Sequence, residues 1–161
     1  MNLILKRRLF HMVIVVALLS VPVISHQQPQ TTAAVAIDHI ALNVANLDAS
    51  VAFYSGVFGF QEIPAAAKGR RWLSLGNGVA LHLLGERSAT VADNRSVHVA
   101  FTCDNLEPIV QRLKERGITW SNFAGTQGTV GTVRTDGVRQ IFFRDPDGYW
   151  IEVNDALKTK T

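Results

Sequence analysis

The sequence predicts an α+β protein built from two tandem βαβββ modules. Short segments alternate apolar and polar side chains, as strands do, and two longer segments repeat apolar residues at helical spacing. The same order of segments occurs twice. His39 and His98 are 59 residues apart, and the same offset separates Asn46 from Asn105. A strand, a histidine and a helix start that all recur at one offset indicate a duplicated module.

The first module covers residues 36–85. Ile40, Leu42 and Val44 alternate with more polar neighbours and predict its first strand. Asn46 is a typical N-cap, and the helix that follows should end at Gly59. Three further strands are predicted at residues 60–64, 71–75 and 79–84, and the sequence Gly76-Asn77-Gly78 predicts a hairpin turn between the last two.

The second module covers residues 96–155 and repeats this order. Its helix should be capped by Asn105 and end at Gly117. Strands are predicted at residues 97–103, 118–123, 138–143 and 149–153. The segment 121–137 is rich in glycine and threonine, and is either a lid over a binding site or an exposed connection.

The N-terminus has the order of a secretory signal. A basic cluster at residues 6–8 precedes an apolar stretch that begins at Leu9, and small and polar residues follow near His26. This order predicts a cleaved signal peptide over residues 1–25 and export to the periplasm or medium. The alternative is an N-terminal membrane anchor, for which an apolar run of about 16 residues containing Pro22 is short against the roughly 20 residues of a span. The paired arginines also resemble the start of a twin-arginine signal.

The excess positive charge lies in that segment. The chain has 16 Lys+Arg against 13 Asp+Glu, and residues 6–8 supply three of these cations while residues 1–25 hold no acid. The rest of the chain is formally neutral, which excludes a charge pattern for binding nucleic acid. Cys103 is the only cysteine, so no intramolecular disulfide forms. We divide the remainder into a polar leader at 26–35, the two-module domain at 36–155 and a tail at 156–161.

Three histidines and one glutamate fall on the strand faces opposite the apolar ones: His39, His82, His98 and Glu152. If the two sheets curve around a common cavity, these side chains converge. Neutral imidazoles with one carboxylate suit Zn²⁺, Ni²⁺, Fe²⁺, Mn²⁺ or Co²⁺ rather than Ca²⁺ or Mg²⁺. The sequence therefore predicts a divalent transition-metal site, with isolated hydrogen-bonded histidines as the alternative.

The residues around these positions are similar to known signatures. The run from His39 to Val44, followed by Phe53-Tyr54 and Phe58-Gly59-Phe60, closely resembles the first signature of glyoxalase I. Asp145-Pro146-Asp147-Gly148, leading into Glu152, resembles the last strand of the wider vicinal oxygen chelate superfamily. That superfamily includes glyoxalase I, extradiol dioxygenases, fosfomycin-resistance enzymes and bleomycin-resistance proteins. The resemblance covers about residues 36–154 and implies a glyoxalase-like curved mixed sheet around a metal cavity.

The resemblance implies two possible ligand sets. Family ligands come from the first, fourth, fifth and eighth strands, which here hold His39, His82, His98 and Glu152. Glyoxalase I usually carries glutamate at the fourth-strand position, where this chain has His82. Extradiol dioxygenases and fosfomycin enzymes use the first, fifth and eighth positions, which leaves His82 outside the ligand set.

Three functions follow from the resemblance. The first is a metal-dependent lyase or isomerase that acts on a small substrate with two adjacent oxygens, in which Glu152 is both metal ligand and catalytic base. The second is an extradiol-type non-haem iron dioxygenase, and the third is a non-catalytic protein that sequesters a small molecule such as an antibiotic. We expect an enzyme. Relatives often form homodimers, with the metal site either within one chain or shared by two.

Several other side chains are candidates for contact with a substrate. The arginines either bind a substrate carboxylate or are solvated, and the tryptophans either line the cavity or pack in the core. These candidates are Arg70, Arg71, Arg134, Trp72, Trp150 and Gln140.

Overall fold

Each half of the chain builds one sheet and one helix. The computed structural model describes residues 34–132 and 134–159, so the predicted signal peptide lies outside the described residues. Within the described part, no helix is long and apolar enough to cross a membrane. In chain order the elements are β1 His39–Asn43, α1 Leu47–Phe58, β2 Gln61–Ile63, β3 Arg70–Gly76, β4 Val79–Leu84, β5 His98–Thr102, α2 Glu107–Glu115, β6 Gln140–Arg144, β7 Trp150–Asn154 and a 3-10 helix Ala156–Thr159.

The helix α1 begins and ends where the sequence predicts, whereas α2 has Leu106 as its N-cap and Arg116 as its C-cap instead of the predicted Asn105 and Gly117. Asn46 is extended at φ −135°, and its side-chain oxygen accepts the N–H of Ala49 at 3.0 Å. Gly59 adopts the left-handed conformation at φ +78°, which stops α1 at low steric cost because glycine has no Cβ. The side chain of Asn105 accepts the N–H of Glu107 at the start of α2.

The two sheets repeat one strand order. The first sheet has the order β1-β4-β3-β2, and the second has β5-β7-β6. In each sheet the first strand of the module runs parallel to the last, whereas the remaining neighbours are antiparallel. The predicted α+β class with two duplicated modules is therefore confirmed, and the sheets do not close into a barrel.

The strand predicted at residues 118–123 is wrong. Ser121 forms only two isolated bridges, one to Phe142 on the free edge of β6 and one to Gln127. The chain turns back directly after Ser121, because the side chain of Asn122 accepts the N–H of Thr126 and Gly125 takes a φ of +96°. The turn leaves no length for a ladder, so at the position of this strand Ser121 and Phe142 exchange one pair of backbone hydrogen bonds, at 2.9 and 2.8 Å.

A single apolar core joins the two modules. One face of each sheet contributes to it together with both helices, and α1 contacts α2. Successive residues of a strand point to opposite faces. The faces that carry His39 and His82 on the first sheet, and His98 and Glu152 on the second, therefore lie away from this core. Its most buried members include Tyr54, Val57, Leu81, Leu83, Leu113, Ile141, Phe143, Ile151 and Val153.

The turn between β6 and β7 ties the second module to the first. Asp147 is buried, and its carboxylate accepts hydrogen bonds from the backbone N–H of Ala45 at 2.7 Å, the hydroxyl of Ser50 at 3.2 Å and the guanidinium of Arg87 at 2.9 Å. Asp145 accepts the hydroxyl of Tyr54 at 2.8 Å. Burial raises the pKa of both members of that last pair. These two acids therefore hold the modules together.

We predict that Asp147→Ala lowers the free energy of unfolding by about 2–4 kcal/mol, because it removes a buried carboxylate that accepts three hydrogen bonds and leaves the partly buried guanidinium of Arg87 without its acceptor. Urea unfolding followed by circular dichroism measures this loss. Asp48→Ala is the control, since the side chain of Asp48 is 90% exposed and makes one ion pair. Equal stability of the two variants would contradict this role for Asp147.

Another buried acid, Asp155, makes the free energy of unfolding depend on pH. Burial alone would raise the pKa of Asp155, but hydrogen bonds from Lys158 and Arg139 outweigh it and hold the pKa at about 2. A carboxyl with a depressed pKa in the folded state stabilises the protein above its unfolded pKa and loses this contribution as the pH falls. We expect stability to decline between about pH 5 and pH 2. Unfolding of Asp155→Asn at a series of pH values should show a shallower decline, and an unchanged slope would contradict the assignment.

Candidate metal centre

The first sheet carries a stack of three rings on its outer face. The imidazoles of His39 and His82 lie with centroids 4.0 Å apart and planes 11° apart, and Trp72 stacks on the far side of His82 at 4.1 Å and 6°. Strand register explains the stack, because Ala41 and Trp72 are the direct neighbours of His82 on β1 and β3. We call Trp72, His82 and His39 the histidine stack. Burial, and the proximity of His39, lower the pKa of His82.

Asp38 fixes the orientation of His39. Its carboxylate lies 2.6 Å from Nδ1 of the imidazole, and this hydrogen bond lowers the pKa of Asp38. A carboxylate accepts, so Nδ1 carries the hydrogen and the lone pair of the neutral ring is left on Nε2. A side chain next in sequence therefore selects the nitrogen of His39 that is free to bind a metal.

The second sheet carries a histidine and a carboxylate in contact. Nε2 of His98 lies 3.1 Å from Oε2 of Glu152, and we call these residues the His–Glu pair. Nδ1 of His98 donates to the backbone carbonyl of Arg95 at 2.8 Å, which again leaves Nε2 as the free position. Glu152 is buried, and its other oxygen accepts the side-chain amide of Asn154 at 2.8 Å. Each residue of the His–Glu pair is therefore held by a hydrogen bond, His98 by the carbonyl of Arg95 and Glu152 by the amide of Asn154.

The two pairs of residues occupy equivalent positions. His39 is opposite Ala80 in the first sheet, as His98 is opposite Trp150 in the second, and Ala41 is opposite His82 as Ala100 is opposite Glu152. Duplication thus placed a histidine, His39 or His98, at the start of the first strand of each module. On the last strand of each module, the equivalent residue is an imidazole in one case, His82, and a carboxylate in the other, Glu152.

The structure brings the four predicted residues together as two pairs. Among the described residues of one chain, no three or more of the side chains His, Cys, Asp and Glu come close enough to hold a metal ion. Whether the four form one metal site is therefore a prediction that a single chain does not test.

Other candidates from the sequence have structural partners. Arg71 pairs with Glu62 and Asp48, and Arg134 pairs with Asp136, so both cations are neutralised on the surface. Of the two tryptophans, Trp72 belongs to the histidine stack, and Trp150 lies under the guanidinium groups of Arg95 and Arg144, 4.2 and 4.5 Å from its ring centroid. Gln140 is buried opposite Asn154.

Sequence reasoning missed the residues that orient the histidines. Asp38 directly precedes His39, and Asn154 follows Glu152 by two positions on the same face, so local spacing could have indicated both. The role of Arg95 is carried by its backbone carbonyl, which leaves no signal in the side-chain pattern. The contact between Trp72 and His82 depends on strand register, which the hairpin at Gly76-Asn77-Gly78 sets.

Comparison with known proteins agrees with this architecture. Residues 36–153 match the family model of the Glyoxalase/Bleomycin resistance protein/Dioxygenase superfamily. Among curated proteins, the chain is 27% identical over 125 residues to Glyoxylase I 4 of Arabidopsis thaliana, covering 73% of this chain and 68% of that one. It is 30% identical over 120 residues to the metallothiol transferase FosB of Shouchella clausii, covering 73% and 78%.

A solved structure shows the same fold. The oxidase ChaP-H2 superposes with a TM-score of 0.61 at 22% identity, and the match covers 74% of this chain and 92% of that one. Proteins of this superfamily are commonly enzymes that act on small molecules, often as dimers, and they generally use divalent metals. The family model spans most of the chain, so this protein belongs to the Glyoxalase/Bleomycin resistance protein/Dioxygenase superfamily.

Proposed function

We propose that the protein is a divalent-metal-dependent lyase or isomerase, similar to glyoxalase I, that acts on a small substrate with two adjacent oxygens. One observation carries the proposal. Both His39 and His98 are anchored through Nδ1, by the carboxylate of Asp38 and the carbonyl of Arg95, and both keep Nε2 as the nitrogen available to a metal. Anchoring of the second nitrogen by an acceptor is the usual arrangement around a histidine that ligates a metal.

The donor chemistry of the His–Glu pair fits a metal ion. Because His98 donates through Nδ1, its Nε2 and Oε2 of Glu152 lie 3.1 Å apart with a cation needed between them, which is either a proton on Nε2 or a metal ion. Two ligands at about 2.1 Å from one ion, at right angles, are roughly 3 Å apart. The observed separation therefore suits two neighbouring ligands of one transition metal.

The histidine stack separates the roles of His39 and His82. The lone pair of an imidazole nitrogen lies in the plane of its ring. The two planes are 11° apart with centroids at 4.0 Å, so the lone pairs lie in two separate, nearly parallel planes and do not converge on one ion. We assign His39, His98 and Glu152 as the ligands. In this assignment the ring of His82 packs against His39, whose Nδ1 is held by Asp38, and His82 lies outside the ligand set, as in the second of the two sets that the resemblance implies.

We propose that the ligands come together in a homodimer. The outer faces of the two sheets point away from the shared core, and β1 and β5 are each an edge strand of their sheet. Ile37 and Val97, which lie just before these strands, are 64% and 72% exposed. A second chain that sets its second module against the first module covers these residues, and it places His98 and Glu152 of the partner subunit near His39.

Each residue then has a defined task. When bound, the metal supplies Lewis-acid stabilisation of negative charge on the substrate oxygens. Glu152 accepts a proton from the substrate carbon and returns it to the neighbouring carbon. Asn154 holds the oxygen of Glu152 that faces away from His98, so the carboxylate keeps one orientation throughout the transfer.

A second candidate is an extradiol-type dioxygenase. The three-residue set of two histidines and one carboxylate is the set that non-haem Fe²⁺ oxygenases use, and the geometry of the histidine stack favours it over a four-residue set. Oxygen uptake with a catechol and Fe²⁺ would favour this reaction. Turnover of methylglyoxal plus a thiol with Zn²⁺ or Ni²⁺ would favour the lyase, and stoichiometric metal without either activity would contradict both assignments.

Metal analysis of three proteins tests the ligand assignment. We predict one equivalent of tightly bound Zn²⁺ or Ni²⁺ per chain for the wild type and for His82→Phe, which keeps an aromatic ring in the stack, and a loss of binding of at least about tenfold for His98→Ala. Mass spectrometry of the dialysed proteins measures the content. A loss in His82→Phe equal to that in His98→Ala would restore His82 as a ligand.

Mixing two inactive variants tests the dimer. Chains with His39→Ala and chains with Glu152→Ala each lack a complete site, but a mixed dimer with shared sites has one intact copy. After unfolding and refolding together, the mixture should bind about one quarter of the wild-type metal. Metal content no higher than that of either variant alone would show that the site is not shared in this way.

We also propose export. Expression of the full chain should give a periplasmic or secreted protein that begins near His26, because the segment before it has the order of a signal peptide. Intact-mass measurement of the purified protein checks this. A membrane-bound product that retains residues 1–25 would instead support the N-terminal anchor.

A further inference from the structure

A cluster of cations and one aromatic ring lies beside the His–Glu pair. The guanidinium groups of Arg95 and Arg144 lie over the ring of Trp150, 4.2 and 4.5 Å from its centroid. Two positive charges held by one ring repel each other, and the carboxylate of Asp93 offsets one of them. Its Oδ1 accepts both the guanidinium of Arg144 and the indole N–H of Trp150, the latter at 3.1 Å. We call Arg95, Arg144 and Trp150 the cationic cluster.

The cationic cluster and its carboxylate differ in how firmly they are held. Arg144 ends β6 and Trp150 begins β7, where the two residues are direct neighbours in the ladder. Asp93 lies in the connection between β4 and β5, which has no helix or strand, and its side chain is 69% exposed. An exposed acid on an irregular segment exchanges more readily than donors fixed in a sheet. The donors from Arg144 and Trp150 are therefore a preformed site that Asp93 occupies.

A cavity adjoins these donors and has room for a ligand. It measures about 660 Å³, and Trp120, Gln127 and Arg95 contribute to its walls together with Asp93, Arg144 and Trp150. Nε1 of Trp120 and Nε of Arg95 are buried donors for which the described residues supply no acceptor. A site of this size with more donors than acceptors suits a small anion.

The position of the cationic cluster relates it to the candidate metal centre. Trp150 is the direct ladder neighbour of His98 and lies two residues before Glu152 on the same face. Neighbouring residues of adjacent strands are about 5 Å apart. Arg144 is in turn the ladder neighbour of Trp150, so its backbone lies two strands, about 10 Å, from that of His98, and Trp150 lies between the two.

We propose that Arg144 and the indole N–H of Trp150 form a subsite for the carboxylate of a small organic acid, and that Asp93 occupies this subsite until the ligand displaces it. The ligand class is a carboxylic acid, because a carboxylate is the group that these donors hold in the structure. The assignment of this carboxylate to the substrate rests on the proposed function. Its binding does not, since no residue of the subsite is a proposed metal ligand.

Benzoate and its uncharged analogue benzamide are suitable probes. They are titrated against protein dialysed free of metal and chelator, and quenching of tryptophan fluorescence measures the affinity. We expect benzoate to bind and benzamide to bind at least about tenfold more weakly. Equal affinities would overturn the subsite, and tighter binding of phenylphosphonate would overturn its assignment to carboxylates.

Matched variants test the role of Asp93. Removal of a tethered competitor should increase the affinity of Asp93→Asn for benzoate about tenfold, whereas Arg144→Gln should lose binding. Glu62→Gln and Arg71→Gln are the controls, because that pair of a surface carboxylate and a guanidinium lies on the other sheet. An unchanged affinity in Asp93→Asn, or the same loss in Arg71→Gln as in Arg144→Gln, would contradict the proposal. Since no metal is present, either result leaves the proposed metal function to its own experiments.

Discussion

The apolar core that the two sheets share is the constraint on which the rest of the structure depends. Each sheet has one apolar face, and both faces meet the two helices in a single cluster that contains Tyr54, Phe143 and Ile151. Because strand residues alternate, burial of these faces sends the ionisable side chains to the opposite sides. Asp147 fixes this arrangement, since its buried carboxylate joins the start of α1 to the turn before β7. The stability of the core and the location of the candidate site on the opposite faces therefore both follow from the same packing of the sheets.

Local sequence was sufficient for the features that local physics determines. Helix ends followed from Asn46 and Gly59, because an N-cap oxygen and a residue without Cβ satisfy requirements of the backbone itself. The faces of His82 and Glu152 followed from strict alternation, which has no alternative once a strand is buried on one side. The prediction of a strand at residues 118–123 was wrong. The pattern of side chains there is compatible with a strand, but Asn122 and Gly125 favour a turn, and this turn ends the pairing after Ser121.

Features that depend on tertiary contacts could not be predicted from the sequence. Alternation identifies a buried face but not the surface that covers it, so the pattern could not decide whether His39 meets His98 within one chain. The anchoring of His98 through the carbonyl of Arg95 uses a group that every residue possesses. The stack of Trp72 on His82 and the position of Arg144 beside Trp150 both depend on strand register, which hairpins and ladders set over many residues. The sequence was sufficient to name the candidate ligands, and it did not show the groups that orient them.

Duplication followed by divergence makes the two modules complementary rather than equivalent. The first presents His39 with His82 at the second position, and the second presents His98 with Glu152 there. Two copies of the first module facing each other would offer four imidazoles and no carboxylate. Two copies of the second would offer two carboxylates, and their two negative charges together with that of an anionic substrate would exceed the charge of one divalent ion. Under the proposed function, the pairing of unlike modules gives two histidines and a single carboxylate, Glu152, that would be both ligand and base. In the proposed symmetric dimer this pairing would occur twice and give two identical sites.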